Sequence, residues 1–315
     1  MLQTLRVDKG WDTLWHVRGD KSISFSPDGA IVAFASKDGA VRLCDVVTGA
    51  ILRTLEGHIS SVKSVIISPD GKMVVSASGD RTARLWDAKT GNTLQILRGH
   101  TECVKLAAFA PSSRVVATAS DRMIRLWDTA TATALQTIRG RGELLFDLLF
   151  SPDGKFIVSA TSDEYGEDVT VQLWDQATGA PLKKLEGMAV PVVFMAFCPN
   201  GEVLATASTD AIVRLWDVAT GAILQRLKGF PSMSFSPDGK VVATASGKNV
   251  RIWDVATGAS RQTLKGHSRA VQSAAFSPTG EMVASASRDK TVRTVSGMSQ
   301  RFTYLEPRLK RSWEC

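Results

Sequence analysis

The stretch VRLWDVATGAILQRL, residues 213–227, returns along this chain in variant form. Its first five letters, or a near copy, end at Asp87, Asp128, Asp175, Asp217 and Asp254. Two degenerate copies flank these. One is Val41 to Asp45, with Cys44 in the tryptophan place; the other is Thr291 to Val295, which fails after Arg293. Successive tryptophan places stand 42, 41, 47, 42, 37 and 41 residues apart, the last setting the seventh at Thr294. A period of this length marks a repeat architecture, and seven units fill the chain.

Each unit reads alike. A Gly-His or its relic precedes an apolar strand ending in FSPDG, where Pro-Asp-Gly signals a turn. A strand such as VVSAS or VVATAS follows, then a turn with an aspartate, then VRLWD. A Thr-Gly turn, as in Thr48-Gly49 and Thr220-Gly221, leads to a fourth strand such as ILQRL. Short β-branched strands separated by regular turns predict an all-β chain of four-stranded antiparallel sheets. One such sheet cannot bury both faces, but seven stacked around an axis can.

The bulk properties exclude several classes. The 315 residues carry a net charge of +7 and a pI near 9.3. The N-terminal MLQTLRVDKG lacks the apolar run of a signal peptide. The longest uncharged apolar stretch, Met188 to Cys198, is shorter than the roughly 20 residues that span a bilayer. Cys44, Cys103, Cys198 and Cys315 show no zinc or disulfide spacing, so we expect a reducing compartment, cytoplasm or nucleus. No phosphate-binding glycine loop or hydrolase motif occurs. The acidic run Asp163, Glu164, Glu167, Asp168 lacks the ligand spacing of a calcium loop. No catalytic residue, cofactor or metal site is expected, and neither a membrane nor a small-molecule substrate.

These motifs closely resemble the WD-repeat family, from about Leu2 to Arg293. The resemblance implies a seven-bladed β-propeller over 1–295, closed by the N-terminal strand. Leu2-Gln3-Thr4-Leu5 matches the outer-strand pattern of Leu94-Gln95-Ile96-Leu97, so residues 2–6 are expected to pair with the sheet formed by 270–295. Closure would remove an exposed edge. The wording of the repeats is most similar to the arrays of fungal NACHT-type signalling proteins, without their nucleotide-binding module. Residues 296–315 read as a disordered basic tail, as an artefact replacing a strand, or as a rival for the outer position of the last blade.

The four histidines, His16, His58, His100 and His267, each stand 11 residues before the proline of their turn. They are therefore one repeated structural position. The resemblance assigns this histidine to a hydrogen-bonded network inside a blade. That network is His58, Ser76, Asp80 and Trp86 in the second repeat, and His100, Thr118, Asp121 and Trp127 in the third. Arg141 and Met188 replace the histidine in the fourth and fifth repeats. The sixth is shortened between Gly229 and Pro237 and has Gly247 in the aspartate place.

Family resemblance also implies a partner-binding face reached by two repeat positions. The one six residues before the turn proline gives Lys21, Lys63, Lys105, Phe146, Val193, Pro231 and Gln272. The one just before the turn aspartate gives Lys37, Gly79, Ser120, Glu167, Thr209, Ser246 and Arg288. Basic residues thus fall on repeats seven, one, two and three. They either keep the surface soluble or form an anion-binding crescent for acidic or phosphorylated segments. Trp11, in a long link before His16, would anchor a partner or plug the channel. Aromatic stacking for nucleic acid is missing, so no sequence-specific nucleic-acid binding is expected. The expected function is a non-enzymatic protein–protein interaction scaffold. The alternative is the recognition array of a NACHT-type protein or ubiquitin-ligase-like adaptor lacking its effector domain.

Overall fold

A computed structural model describes residues 22–139, 144–163, 169–188, 190–229, 232–277, 279–289 and 291–296. The expected closing strand at 2–6, the link with Trp11, His16 and Lys21, and the tail at 297–315 lie outside the described residues. The chain divides into two compact units, with the boundary between Met195 and Ala196.

The first unit holds four sheets of four strands in sequence order. Sheet 1 is β1 (Ile23–Phe25), β2 (Ile31–Ala35), β3 (Val41–Asp45) and β4 (Ile51–Leu55). Sheet 2 is β5 (Val62–Ile67), β6 (Met73–Ser78), β7 (Ala83–Asp87) and β8 (Thr93–Leu97). Sheet 3 is β9 (Leu106–Phe109), β10 (Val115–Ser120), β11 (Met123–Asp128) and β12 (Ala134–Arg139). Sheet 4 is β13 (Leu144–Phe150), β14 (Phe156–Ser162), β15 (Thr170–Asp175) and β16 (Pro181–Leu185).

Sheet 5 is β17 (Val192–Phe197), β18 (Val203–Ser208), β19 (Ile212–Asp217) and β20 (Ile223–Lys228), with the unit boundary inside β17. The second unit continues with sheet 6: β21 (Met233–Phe235), β22 (Val241–Ser246), β23 (Asn249–Asp254) and β24 (Ser260–Leu264). Sheet 7 has three strands among the described residues, β25 (Val271–Phe276), β26 (Met282–Ser287) and β27 (Val292–Ser296).

The turn chemistry explains why one sequence word recurs. In the Ser-Pro-Asp-Gly turn, Ser68 Oγ donates to Asp70 Oδ1 at 2.6 Å, and the same carboxylate oxygen accepts from Lys72 N at 3.1 Å. Gly71 closes it at φ +73°, a region open to glycine. The aspartate ending each third strand builds the next turn. Asp87 Oδ1 accepts from Thr90 N at 2.6 Å and Thr90 Oγ1 at 2.9 Å, ahead of Gly91 at φ +80°. Asp45, Asp128, Asp175, Asp217 and Asp254 do the same with a threonine three residues on. These carboxylates are framework, held below their ordinary pKa by the threonine bonds where the shift is resolved, as at Asp87 and Asp128.

Burial follows the strand order. Second strands are almost wholly buried, as in Met73–Ser78, and fourth strands are largely exposed, as in Ile51–Leu55. Each described tryptophan of the first unit fills a core formed with the preceding sheet. Trp86 packs with Ala33, Leu43 and Leu55 of sheet 1, and Trp127 with Val75, Leu85 and Leu97 of sheet 2. Polar side chains join neighbouring first strands. Ser24 Oγ accepts from Ile67 N at 3.0 Å, and Asp147 Oδ2 accepts from Met195 N at 3.0 Å.

Strand pairing corrects the seventh repeat. In sheet 2, Trp86 stands opposite Val74 and Arg84 opposite Ser76. In sheet 7, Val295 stands opposite Val283 and Arg293 opposite Ser285. Val295, and not Thr294, therefore holds the tryptophan place. The sequence match fades at this point, and only the ladder fixes the register.

Candidate interaction face

In sheet 2 the buried polar residues form one chain of bonds. Trp86 Nε1 donates to Ser76 Oγ at 2.8 Å, and Ser76 Oγ lies 2.7 Å from His58 Nε2. His58 Nδ1 lies 2.7 Å from Asp80 Oδ2. With Nδ1 protonated, each donor in this chain has an acceptor. Burial lowers the His58 pKa, opposed by the hydrogen bond and charge of Asp80. Burial raises the Asp80 pKa, but its bonds from Thr82 and His58 outweigh this and leave it lowered. His267, Ser285 and Asp289 repeat the geometry in sheet 7, at 2.9 and 2.8 Å.

Sheet 3 departs from the expected network. His100 Nε2 meets Thr118 Oγ1 at 2.8 Å, and Trp127 Nε1 donates to the same oxygen at 2.7 Å. His100 Nδ1, however, faces Ser120 Oγ at 3.2 Å, and Asp121 instead pairs with Lys105. The reason is loop length. In sheet 2 the last paired residues before the turn are Ala77 and Ala83, leaving room for Gly79 and for Asp80 to fold back. In sheet 3 Ser120 pairs with Met123, so only Asp121 and Arg122 make the turn and the carboxylate points outward. Without a carboxylate partner, burial and the charge of Arg125 drop the His100 pKa to about 4. These histidines are buried and enclosed by framework groups, and among the described residues no cluster of metal-ligating side chains occurs.

The positions expected on the binding face are set by a backbone device. In β5, Val62 pairs with Ser78 and Ser64 with Ala77, so Lys63 is an extra, bulged residue. Phe146 in β13 and Gln272 in β25 are bulged in the same way. A bulge re-aims the side chain of the extra residue and interrupts the ladder. Lys63 is accordingly exposed between buried Val62 and Ser64, and Phe146 is half-buried.

A second recurring bond joins the two position series. Val62 N donates to Ser36 O at 3.2 Å, and Val104 N donates to Ser78 O at 3.0 Å. Val271 N donates to Gly247 O at 2.7 Å in the second unit. Each runs from the residue before one of the first position series (Lys63, Lys105 or Gln272) to the end of the second strand, or the turn after it, in the sheet before. The first of these bonds joins the backbone at Ser36, the residue before Lys37, to that at Val62, the residue before Lys63. Both lysines are exposed, and neither forms an ion pair among the described residues. Lys63 and Lys105 both bear electrostatically on the Cys103 thiol, whose pKa burial nevertheless raises. Lys105 is neutralised by Asp121, so it contributes less charge to this face than the sequence suggests. Arg288 is exposed in the second unit. The strand arginines are framework: Arg84, Arg125 and Arg251 each lie 5.7 Å from the ring of the tryptophan two residues on.

Residues 21–231, about two thirds of the chain, match the family described as IFT122 first beta-propeller. Residues 225–254 and 258–294 each match the family described as WD domain, G-beta repeat. The chain belongs to this WD-repeat β-propeller family. No curated relative matches the chain. WD-repeat propellers generally mediate protein–protein interactions and are typically non-enzymatic scaffolds. The recurring histidine, aspartate and tryptophan of this WD-repeat chain thus have the place of framework.

Proposed function

We propose that the protein is a non-enzymatic interaction scaffold that recruits acidic or phosphorylated protein segments through Lys37 and Lys63. The observation that supports this reading is the Ser36–Val62 bond, which joins the backbones just before Lys37 and Lys63, both exposed and neither in an ion pair among the described residues. Two ammonium groups held together attract a phosphate or a pair of carboxylates as point charges, raising on-rate and salt sensitivity. Phe146 is proposed as the apolar part of this face, and Lys21, Trp11 and Arg288 as further partner-binding residues. The reading further takes the seven repeats as a closed seven-bladed ring working in the cytoplasm or nucleus. The test is affinity capture with wild type and with a Lys37→Glu/Lys63→Glu variant of confirmed β-sheet content. Phosphatase-sensitive partners should be lost from the variant. Equal capture by both baits would contradict the proposal.

A further inference from the structure

The tryptophan place in sheet 7 is held by Val295, which lines a pocket of about 210 Å³ that is partly open to solvent. Its apolar lining is Val241, Ile252, Leu264, Phe276, Val283 and Val295. By strand register, the first five correspond to Met73, Leu85, Leu97, Phe109 and Val116. Those are the residues that enclose the Trp127 ring in sheet 3. The wall of an indole site is thus complete, and only the ring is replaced by an isopropyl group. Six of the seven sheets keep a tryptophan or, in sheet 1, a cysteine at this place; sheet 7 alone among them presents valine.

We propose that this cavity is a binding site for a small, flat, uncharged aromatic molecule of indole size. An enclosed apolar cavity of about 150 Å³ takes up benzene, and this pocket, larger and partly open, has room for a bicyclic ring. The neighbouring charges do not favour an ionic ligand. Of the two charged lining residues, Arg261 is paired with Asp254, and Glu281 is an exposed carboxylate that disfavours an anion, so the apolar wall suits an uncharged ring. Two sources share this chemistry, a free aromatic compound and a tryptophan side chain from a polypeptide. The proposal is the free compound.

The test uses the full chain and 5-fluoroindole, followed by fluorine NMR line broadening and by thermal shift. Saturable binding with a dissociation constant on the order of 0.1–1 mM is expected from burying one bicyclic ring. Val295→Trp fills the cavity from within and should weaken binding at least tenfold; Val295→Phe, a smaller intrusion, gives the same readout should the first variant fold poorly. Indole acetate should bind at least tenfold more weakly than indole. A tryptophan-containing peptide should not compete. Absence of saturable binding, binding unaffected by both substitutions, or displacement of fluoroindole by the peptide at lower concentration than by indole would overturn the proposal.

Discussion

Replacing Asp80 and Asp121 by alanine separates two residues that occupy the same place in the repeat. Asp80 accepts from His58 Nδ1 at 2.7 Å, Ile59 N at 3.2 Å, Thr82 N at 2.9 Å and Thr82 Oγ1 at 2.6 Å. The His58 side chain is fully buried, so water cannot replace the lost acceptor. An unsatisfied buried donor costs about 1–3 kcal/mol, and two such donors, His58 Nδ1 and Thr82 Oγ1, give roughly 2–6 kcal/mol for Asp80→Ala. Asp121 holds only a partly exposed ion pair with Lys105, so Asp121→Ala costs about 0–1 kcal/mol. Urea unfolding of both variants, followed by tryptophan fluorescence at equal m-value, measures the difference. Equal losses, or a loss below about 1 kcal/mol for Asp80→Ala, would refute the loop-length argument.

Three further outcomes follow from the same geometry. Trp86→Ala empties a core place that is 1% exposed and should cost roughly 3–5 kcal/mol in the same urea assay. His100 has a folded pKa near 4, below its unfolded value of about 6.5. The unfolded chain therefore binds the extra proton between those values. The stability from neutral His100 is complete above about pH 6.5 and is lost as pH falls toward 4, by about 3 kcal/mol at most. His100→Gln should flatten that part of the stability–pH curve. Gly57 sits at φ +147° with the Arg84 guanidinium against the place of a Cβ, so Gly57→Ala should lower stability by about 1–3 kcal/mol. Arg84→Ala in that background should recover part of the loss.

The sequence was most legible where side chains build turns. Asp87 with Thr90, and Ser68 with Asp70, act within three residues, so their spacing alone predicts the hairpins. The network of sheet 2 was also readable, because His58, Ser76, Asp80 and Trp86 keep the full repeat length. Sheet 3 was not, because one residue fewer before Asp121 changes where its carboxylate points without changing the motif letters. The bulge at Lys63 left no compositional mark either, since an extra residue is defined only by its partner strand. The same holds for Val295: with tryptophan and aspartate both replaced, nothing local fixed the register that the ladder with Val283 supplies.

The central functional claim is that Lys37 and Lys63 form one anion-binding pair. Fluorescence titration of a short acidic phosphoserine peptide, at low and at physiological salt, tests it directly. The account predicts affinity that falls with salt, is weakened at least about tenfold by Lys37→Glu/Lys63→Glu, and is unchanged by Lys105→Ala. Affinity indifferent to both the salt and the double substitution would contradict it.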